Sequence, residues 1–241
     1  MKPGQGAQRT GLFGGTFNPI HLGHLRAAEE VREALGLARV AFVPSNIPPH
    51  KRDQDGAPIA PAEQRLDWVE RAIAGNPAFT IDRVEIERSG PSYLVDTLEA
   101  VRARDPDAPP PVFIVGEDAF AEMGEWRLPL RLFALADFAV MTRPPDRLDD
   151  LATRIPAIVK DLFDFEPGGE AARHREAGTR IDLVAVTALD VSSSQIRLAC
   201  RSSRSIRYLV PESIRGAIEN SECYAGTGMR TGAPVRRGGT Q

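Results

Sequence analysis

Two histidines spaced three residues apart provide the first candidate chemistry in this chain of 241 residues. His21 and His24 follow a glycine pair, Gly14-Gly15, within the sequence GLFGGTFNPIHLGHL. The pattern predicts a strand ending at Phe13, a glycine turn that lets backbone amides approach a ligand, and a helix whose N-cap is Asn18. On such a helix both imidazoles share one face beside the N-terminus, where an anion is favoured. The stretch is therefore predicted to bind phosphate.

Two other interpretations apply to a histidine pair in the first turn of a helix. The rings could pack in the core, or they could bind a metal ion. A metal site needs a third ligand, and His50 and His174 stand at no recognisable metal-ligand spacing from the pair. The favoured hypothesis is that the imidazoles donate hydrogen bonds where charge develops on a transferring phosphoryl or nucleotidyl group.

A second candidate site lies far downstream, in the sequence Ser192-Ser-Ser-Gln-Ile-Arg197. A serine here is predicted to cap a helix whose first amides face a ligand, with Arg197 in the first turns. Backbone amides and a guanidinium together suit the phosphate groups of a ligand. The alternative is a helix cap without further function.

The elements that must position these residues alternate along the chain. Strands are predicted near 9–13, 40–43, 79–86, 112–115, 138–141 and 181–186, and helices near 20–35, 62–74, 94–101, 148–163, 192–197 and 211–219. This alternation predicts an α/β fold with a doubly wound, mainly parallel, Rossmann-like sheet and helices on both faces. Because ligands bind beyond the carboxyl ends of such strands, the loops that follow them should converge on one mouth.

Composition restricts the class of protein. Residues 1–8 read as a flexible leader, 9–220 as one domain, and 221–241, rich in Gly, Arg and Thr, as a disordered tail. With 30 basic and 33 acidic residues, general attraction to nucleic acid is not expected. No apolar run reaches the roughly 18 residues of a membrane span. Two cysteines make no disulfide framework, so a cytoplasmic protein is predicted.

The two motifs resemble the H-x-G-H and S-S-T-x-I-R motifs of the nucleotidyltransferase superfamily. Within it the chain is most similar to the bacterial nicotinate-nucleotide adenylyltransferases, and the resemblance runs from about residue 10 to residue 218. Further similar stretches are Pro48-Pro-His-Lys51, Ser92-Tyr-Leu-Val-Asp-Thr97, Phe113-Ile-Val-Gly-Glu-Asp118 with Trp126 beyond it, and Thr142-Arg-Pro144. The family often has aspartate at Asn18 and threonine at Ser194, but Asn can still cap and Ser keeps a hydroxyl.

The resemblance implies a reaction and a set of site residues. The reaction is ATP + nicotinate mononucleotide → deamido-NAD + pyrophosphate, with Mg²⁺ bridging the phosphates and without dedicated protein ligands for the metal. The implied catalytic residues are His21, His24 and Arg197. The implied ATP-binding residues are Gly14, Gly15, Thr16, Phe17, His21, His24, Ser192, Ser193, Ser194 and Arg197. The implied residues for the second substrate are Lys51, Ser92, Tyr93, Thr97, Gly116, Asp118, Trp126 and Arg143.

The middle residues have chemistry that agrees with this assignment. Ser92, Tyr93 and Thr97 stand at a predicted helix start, where amides and hydroxyls can receive a carboxylate, although plain capping is the alternative. A carboxylate at Asp118 could bind ribose hydroxyls or cap the next helix. Trp126 could stack on a pyridine ring or pack as an ordinary half-buried side chain.

Other functions stay open at this point. The acceptor could be another phosphate monoester, such as nicotinamide mononucleotide or phosphopantetheine, or the protein could be a catalytically inactive regulator that binds nucleotide. A class I aminoacyl-tRNA synthetase has a related histidine motif, but this chain is short for one. Neither nucleic acid nor membrane is an expected partner, and association with a second copy of the chain stays open.

Overall fold

The computed structural model describes residues 9–49, 58–142 and 151–224. The strands are β1 Thr10–Gly15, β2 Arg39–Pro44, β3 Phe79–Ile81, β4 Val112–Gly116, β5 Asp137–Thr142, β6 Phe163–Phe165, β7 Ala171–His174 and β8 Arg180–Ala185. The α-helices are α1 Leu22–Ala34, α2 Ala62–Ile73, α3 Leu94–Arg104, α4 Glu117–Glu122, α5 Pro129–Leu135, α6 Leu151–Arg154, α7 Ala157–Lys160, α8 Ser193–Arg201 and α9 Glu212–Glu219. Short 3₁₀ turns cover Met123–Glu125 and Glu222–Tyr224.

The described strands form one sheet in the order β3-β2-β1-β4-β5-β8-β7-β6. In this spatial order, neighbouring strands from β3 across to β8 pair in parallel, and β7 and β6 continue the sheet at one edge as antiparallel strands. From β1 the chain proceeds outward through β2 and β3, and from β4 it proceeds outward in the other direction. The strand order therefore reverses between β1 and β4, which is where an open α/β sheet has its ligand crevice.

Helices cover both faces of the sheet, as predicted. On one face α1, α2, α8 and α9 pack against Phe13 and Phe42 of the strands. On the other, helices α3 to α7 pack against Leu12 and Phe113. Leu12 and Phe13 enter opposite layers because successive side chains of a strand point to opposite faces. The α/β, mainly parallel, Rossmann-like architecture predicted from the sequence is confirmed. Within the described ranges, no helix is long and apolar enough to cross a membrane.

The segment that follows β5 differs from the prediction of a single helix over 148–163. Residues 143–150 lie outside the described part, and beyond them the chain forms two four-residue helices, α6 and α7, and then the hairpin β6–β7. Pro156 separates the helices, because proline lacks an N–H and disfavours helical backbone in the residue before it. The predicted helix is therefore wrong, and the hairpin extends the sheet instead.

The predicted strand over 79–86 ends early, at Ile81. The Asp82 carboxylate accepts a hydrogen bond from the Val84 backbone N–H at 3.0 Å, a local side-chain bond that turns the chain away from the sheet. This turn places Glu85 against a cavity rather than in a ladder. Helices α4 and α5 also occupy a stretch to which the sequence analysis assigned no element.

The carboxyl-terminal segment predicted as a disordered tail is folded at its start. Residues 221–224 are described, and Tyr224 is 1 % exposed in the layer beside Trp68, with ring centroids 5.7 Å apart. Burial raises the pKa of the Tyr224 hydroxyl, so it stays protonated and donates to the Asn18 side-chain oxygen. The folded part thus extends at least to residue 224, and residues 225–241 lie outside the description.

Loss of the Tyr224 ring should destabilise the fold. We expect Tyr224→Ala to lower the free energy of unfolding by about 3–5 kcal/mol, because it leaves a cavity beside Trp68. Tyr224→Phe, which removes one hydrogen bond and keeps the ring, should lower it by about 0.5–1.5 kcal/mol. Urea denaturation measures both. Tyr208→Ala is the control, since that side chain is 81 % exposed; equal losses at 208 and 224 would contradict the packing role.

Candidate active site

Two cavities flank the carboxyl ends of β1 and β4. The histidine cavity, about 280 Å³, has among its lining residues Phe13, His21, His24, Gly116, Asp118 and Ser192. The aromatic cavity, about 250 Å³, has among its lining residues Gly14, Thr16, Ser92, Tyr93 and Trp126. Both use residues of β1 and β4, so both lie at the point where the strand order reverses. The sequence prediction that loops after several strands converge at this edge agrees with this arrangement.

The two histidines form a stacked pair at the start of α1. Their ring centroids are 3.6 Å apart and their planes differ by 29°. The His24 Nδ1 accepts a hydrogen bond from the His21 backbone N–H at 3.2 Å, which assigns the proton of a neutral His24 ring to Nε2. The edges of Phe13 and Phe17 pack around the His24 ring. The two rings therefore stack at the start of α1, one from the N-cap and one from the first turn, in an aromatic setting.

The helix begins three residues later than predicted. His21, with extended backbone (φ −147°, ψ 170°), is the N-cap of α1, so the assignment of Asn18 as N-cap is wrong. Between Asn18 and His21, the Ile20 side chain is fully buried, at 0 % exposure. Asn18 is itself buried, and its side-chain oxygen accepts from the Ala60 N–H at 3.0 Å. It holds the loop before the helix rather than the helix end.

The downstream motif caps α8 as predicted. The Ser192 hydroxyl accepts from the Gln195 N–H at 3.2 Å, and the Gln195 side chain accepts from the Ser192 N–H at 2.8 Å, which forms a capping box. Two hydrogen bonds then join this motif to the first one. Arg197 donates to the Asn18 carbonyl at 2.7 Å, and the Ser193 hydroxyl donates to the Pro19 carbonyl at 2.8 Å.

Arg197 is 8 % exposed and is not among the residues that line the two cavities. Its second guanidinium nitrogen donates to the Ser194 hydroxyl at 2.8 Å. Arg197 therefore connects α8 with the loop that leads into the histidines. The histidine motif and the serine motif, more than 170 residues apart in the sequence, are thus in direct contact.

The glycine pair serves a different purpose from the one predicted. Gly14 and Gly15 are the last residues of β1 and do not form a turn. A β-carbon on Gly14 would lie 3.0 Å from the Phe113 ring, and one on Gly15 would lie 3.0 Å from the Phe17 ring. Aromatic packing therefore leaves little room for a side chain at either position. With Thr16 they line the aromatic cavity, whereas Phe17 is buried at 3 % exposure.

The residues predicted for the second substrate divide between several places. Ser92, Tyr93 and Trp126 line the aromatic cavity together. Gly116 and Asp118 line the histidine cavity instead. Thr97 is 1 % exposed and lines neither cavity. Lys51 and Arg143 lie outside the described residues.

The start of α3 forms part of the aromatic cavity. Tyr93 is the N-cap and provides no side-chain cap, so the first amides of the helix remain as donors beside the cavity that Tyr93 and Leu94 line. A helix N-terminus with such amides favours a negatively charged group. This geometry is compatible with the carboxylate contact predicted for Ser92 and Tyr93, whereas Thr97 does not line the cavity.

A buried arginine that the sequence analysis missed connects the loops around the aromatic cavity. The Arg65 guanidinium is 1 % exposed and donates to the carbonyls of Ala60 (2.9 Å), Thr16 (2.6 Å), Ser45 (2.7 Å) and Asn46 (3.0 Å). Burial lowers its pKa to about 10, which still leaves it charged at neutral pH. The available signal was an arginine within the apolar stripe of α2.

Glu85 is a second missed residue, and it is a carboxyl group against the aromatic cavity. It is 7 % exposed, and its Oε1 accepts from the Thr97 hydroxyl at 2.7 Å. Burial is the main cause that raises its pKa, while hydrogen bonds from Thr97 and Ser92 and the charge of Arg88 act in the opposite direction. Thr97, predicted to touch substrate, instead supports this carboxyl group.

The raised pKa of Glu85 predicts a pH dependence of stability. The folded chain holds the Glu85 proton more tightly than the unfolded chain, so this contribution is complete below the ordinary glutamate pKa of 4.5 and is lost as pH rises through the folded pKa. Glu85→Gln has no such proton. We expect the unfolding free energy of wild type relative to Glu85→Gln to fall as pH rises from 4.5 to 8.

Urea denaturation at several pH values measures this difference. Glu87→Gln is the matched control, because Glu87 is exposed and belongs to the same segment. A difference between wild type and Glu85→Gln that is constant with pH, or that rises, would contradict the assignment.

Comparison with known sequences agrees with the site. The family model described as cytidylyltransferase-like matches residues 12–199. A relative from Trichlorobacter lovleyi, named "Probable nicotinate-nucleotide adenylyltransferase", is 44 % identical over 219 residues, covering 90 % of this chain and 99 % of the relative. One from Pelobacter propionicus with the same name is 40 % identical over 220 residues, covering 90 % and 98 %.

Solved structures share the fold. Plasmodium falciparum nicotinic acid mononucleotide adenylyltransferase complexed with NaAD superposes with a TM-score of 0.63 at 15 % identity, covering 86 % of this chain and 93 % of that one. A structure of a putative nicotinate-nucleotide adenylyltransferase from Vibrio parahaemolyticus has a TM-score of 0.56 at 15 % identity, covering 88 % and 99 %. From the sequence matches, the chain belongs to the cytidylyltransferase-like family and, within it, to the nicotinate-nucleotide adenylyltransferases.

Proposed function

We propose that the two cavities bind the two substrates of an adenylyl transfer, in which AMP passes from ATP to nicotinate mononucleotide to give deamido-NAD and pyrophosphate. The observation that carries this proposal is the pair of adjoining cavities at the reversal of the sheet, one containing the stacked histidines and the other an aromatic wall. The activity is that of the family to which the chain belongs.

ATP is assigned to the histidine cavity. Its α-phosphate accepts hydrogen bonds from His21 and His24, and the Nε2 proton of His24 suits that role. The start of α8, capped by Ser192, offers amides to the departing pyrophosphate. Arg197 holds α8 against the histidine loop and adds positive charge at this wall. Asp118, in the same cavity, can bind ribose hydroxyls.

The mononucleotide is assigned to the aromatic cavity. Trp126 stacks on the pyridine ring, and the first amides of α3 receive the carboxylate at Tyr93 and Leu94. Gly14 and Gly15, predicted as contacts of ATP, line this cavity. Lys51 and Arg143 stay predicted contacts of the mononucleotide. With ATP as a substrate, the cytoplasm remains the expected compartment.

The chemical step needs no nucleophile from the protein. An oxygen of the mononucleotide phosphate attacks the α-phosphorus of ATP in line. The new bond joins that oxygen to the α-phosphorus, and the bond to the bridging oxygen breaks, so pyrophosphate leaves with the electron pair. A phosphate monoester is already ionised at neutral pH, so a general base is not required. Catalysis then rests on positioning and on stabilisation of charge around the α-phosphorus.

Magnesium would enter with ATP and would neutralise charge on its phosphates. Asp118, which lines the histidine cavity, has a carboxylate of the kind that could hold Mg²⁺, whereas the Glu117 carboxylate pairs with Arg154. Across the described ranges, no group of three or more His, Cys, Asp or Glu side chains is arranged to hold a metal ion.

A substrate panel tests the proposed acceptor. With ATP and Mg²⁺ present, we expect pyrophosphate release with nicotinate mononucleotide to exceed that with nicotinamide mononucleotide and with phosphopantetheine. The reason is that the α3 amides favour an anionic ring substituent. Turnover of phosphopantetheine in preference to both pyridine nucleotides would overturn the assignment. Binding of ATP without turnover of any acceptor would instead indicate a regulator.

Removal of the His24 imidazole should slow the chemical step. We expect His24→Ala to lower kcat by about 10²-fold or more, because a donor to the developing charge is lost. Steady-state pyrophosphate release measures kcat. His174→Asn is the matched control, since His174 lines neither cavity and its Nδ1 accepts hydrogen bonds from the backbone N–H groups of Glu176 and Ala177 in the turn between β7 and β8. Near-normal turnover in His24→Ala, per folded molecule, would contradict the role.

A further inference from the structure

The aromatic cavity must distinguish a carboxylate from an amide if its ligand is nicotinate mononucleotide. These two ring substituents have nearly the same shape and differ mainly in charge, so a charged group of the protein is the most effective discriminator. Among the described residues that line the cavity, Glu85 and Arg127 are the charged ones. Glu85 has the wrong sign to attract a carboxylate, which leaves Arg127 as the cation.

Arg127 is held at the cavity by two contacts with α3. Its guanidinium carbon lies 4.8 Å from the centroid of the Tyr93 ring, a cation–π arrangement, and one guanidinium nitrogen lies 3.5 Å from the Asp96 carboxylate. Tyr93 is the N-cap of α3, so the guanidinium lies beside the same helix start that is assigned to the carboxylate. Trp126, the adjacent residue in sequence, lines the same cavity.

The geometry leaves Arg127 able to bind a carboxylate. A guanidinium has five N–H donors, and a stacked ring covers its face without using the donors at its edges. The Asp96 carboxylate oxygen lies 3.5 Å from one guanidinium nitrogen, which is long for a hydrogen bond between charged groups. The Arg127 side chain is 52 % exposed, so solvent screens its field and a moderate effect is expected.

We propose that Arg127 is a specificity residue that selects the acid over the amide form of the mononucleotide through direct contact with the pyridine carboxylate. The inference rests on the proposed function, and it adds a side-chain cation to the amides of α3. The Tyr93 ring and Asp96 orient the guanidinium. Glu85, on the same cavity, opposes binding of an anion when it is ionised.

The test compares kcat/KM for nicotinate mononucleotide and nicotinamide mononucleotide at saturating ATP. In Arg127→Gln we expect the acid-to-amide ratio of kcat/KM to fall about tenfold, a loss that lies between an exposed ion pair and a buried charged hydrogen bond. The fall should arise from a higher KM for the acid, with kcat for the acid and kcat/KM for the amide little changed. Arg127→Lys, which keeps the charge without the fork, should restore part of the ratio.

Ionic strength provides a readout that a merely structural role would not move. In wild type, KM for the acid should rise with salt, and in Arg127→Gln this rise should be smaller. The matched control is Arg131→Gln. Arg131 lies four residues after Arg127, pairs with Glu99, is 57 % exposed and lines neither cavity. The control should leave the ratio unchanged.

An acid-to-amide ratio that stays within about twofold of wild type in Arg127→Gln overturns the proposal, since a lost charge contact is expected to exceed that. Equal losses for both substrates overturn it as well. If wild type turns over neither mononucleotide, the proposed function fails. Calorimetric binding of the two mononucleotides to wild type and Arg127→Gln then tests the Arg127 contact separately.

Discussion

The buried guanidinium of Arg65 holds together the loops around the aromatic cavity. Arg65 donates to carbonyls before α2, after β1 and after β2, so three segments that follow or precede regular elements share one charged donor. Loop carbonyls in a buried position must be hydrogen-bonded, and a planar cation with five donors can serve several at once. Burial lowers the pKa of Arg65 but leaves it protonated, which keeps those donors in place. The loops after β1 and β2 are thereby held in place beside the cavity.

The parallel sheet explains why chemistry from the two ends of the chain meets. The carboxyl ends of parallel strands lie at the same edge, and the reversal of strand order between β1 and β4 leaves room there for ligands. The α8 motif reaches this edge through Arg197 and Ser193, which bind the carbonyls of Asn18 and Pro19. The Tyr224 hydroxyl reaches Asn18 from beyond the last helix. Because the Ala60 N–H also donates to the Asn18 side chain, the loop before the histidines is held from three distant parts of the sequence.

The sequence predicted most of the elements because their signals are local. Apolar runs predicted β2, β4 and β5, and the serine cap predicted α8 with its capping box. It failed where distant contacts decide. Asn18 has the properties of an N-cap, but Ala60 and Tyr224 compete for its side chain. Gly14 and Gly15 have the properties of a turn, but the space around them is filled by Phe113 and Phe17. The hairpin β6–β7 is stabilised by pairing with β8, which a local pattern does not contain.

The sequence by itself determined the α/β class and the two motifs, because residue types and short spacings encode local conformation and phosphate chemistry. The reaction followed from the resemblance of those motifs to a known family. The tertiary structure alone decided how the predicted residues are distributed. It placed Ser92 and Trp126 in the aromatic cavity and Gly116 and Asp118 in the histidine cavity. It also placed Thr97 against Glu85 rather than in a cavity. It also brought Arg65, Glu85 and Arg127 to the site. The physical reason is that burial and hydrogen bonding depend on which distant segments pack together, and a side chain's role follows from those neighbours.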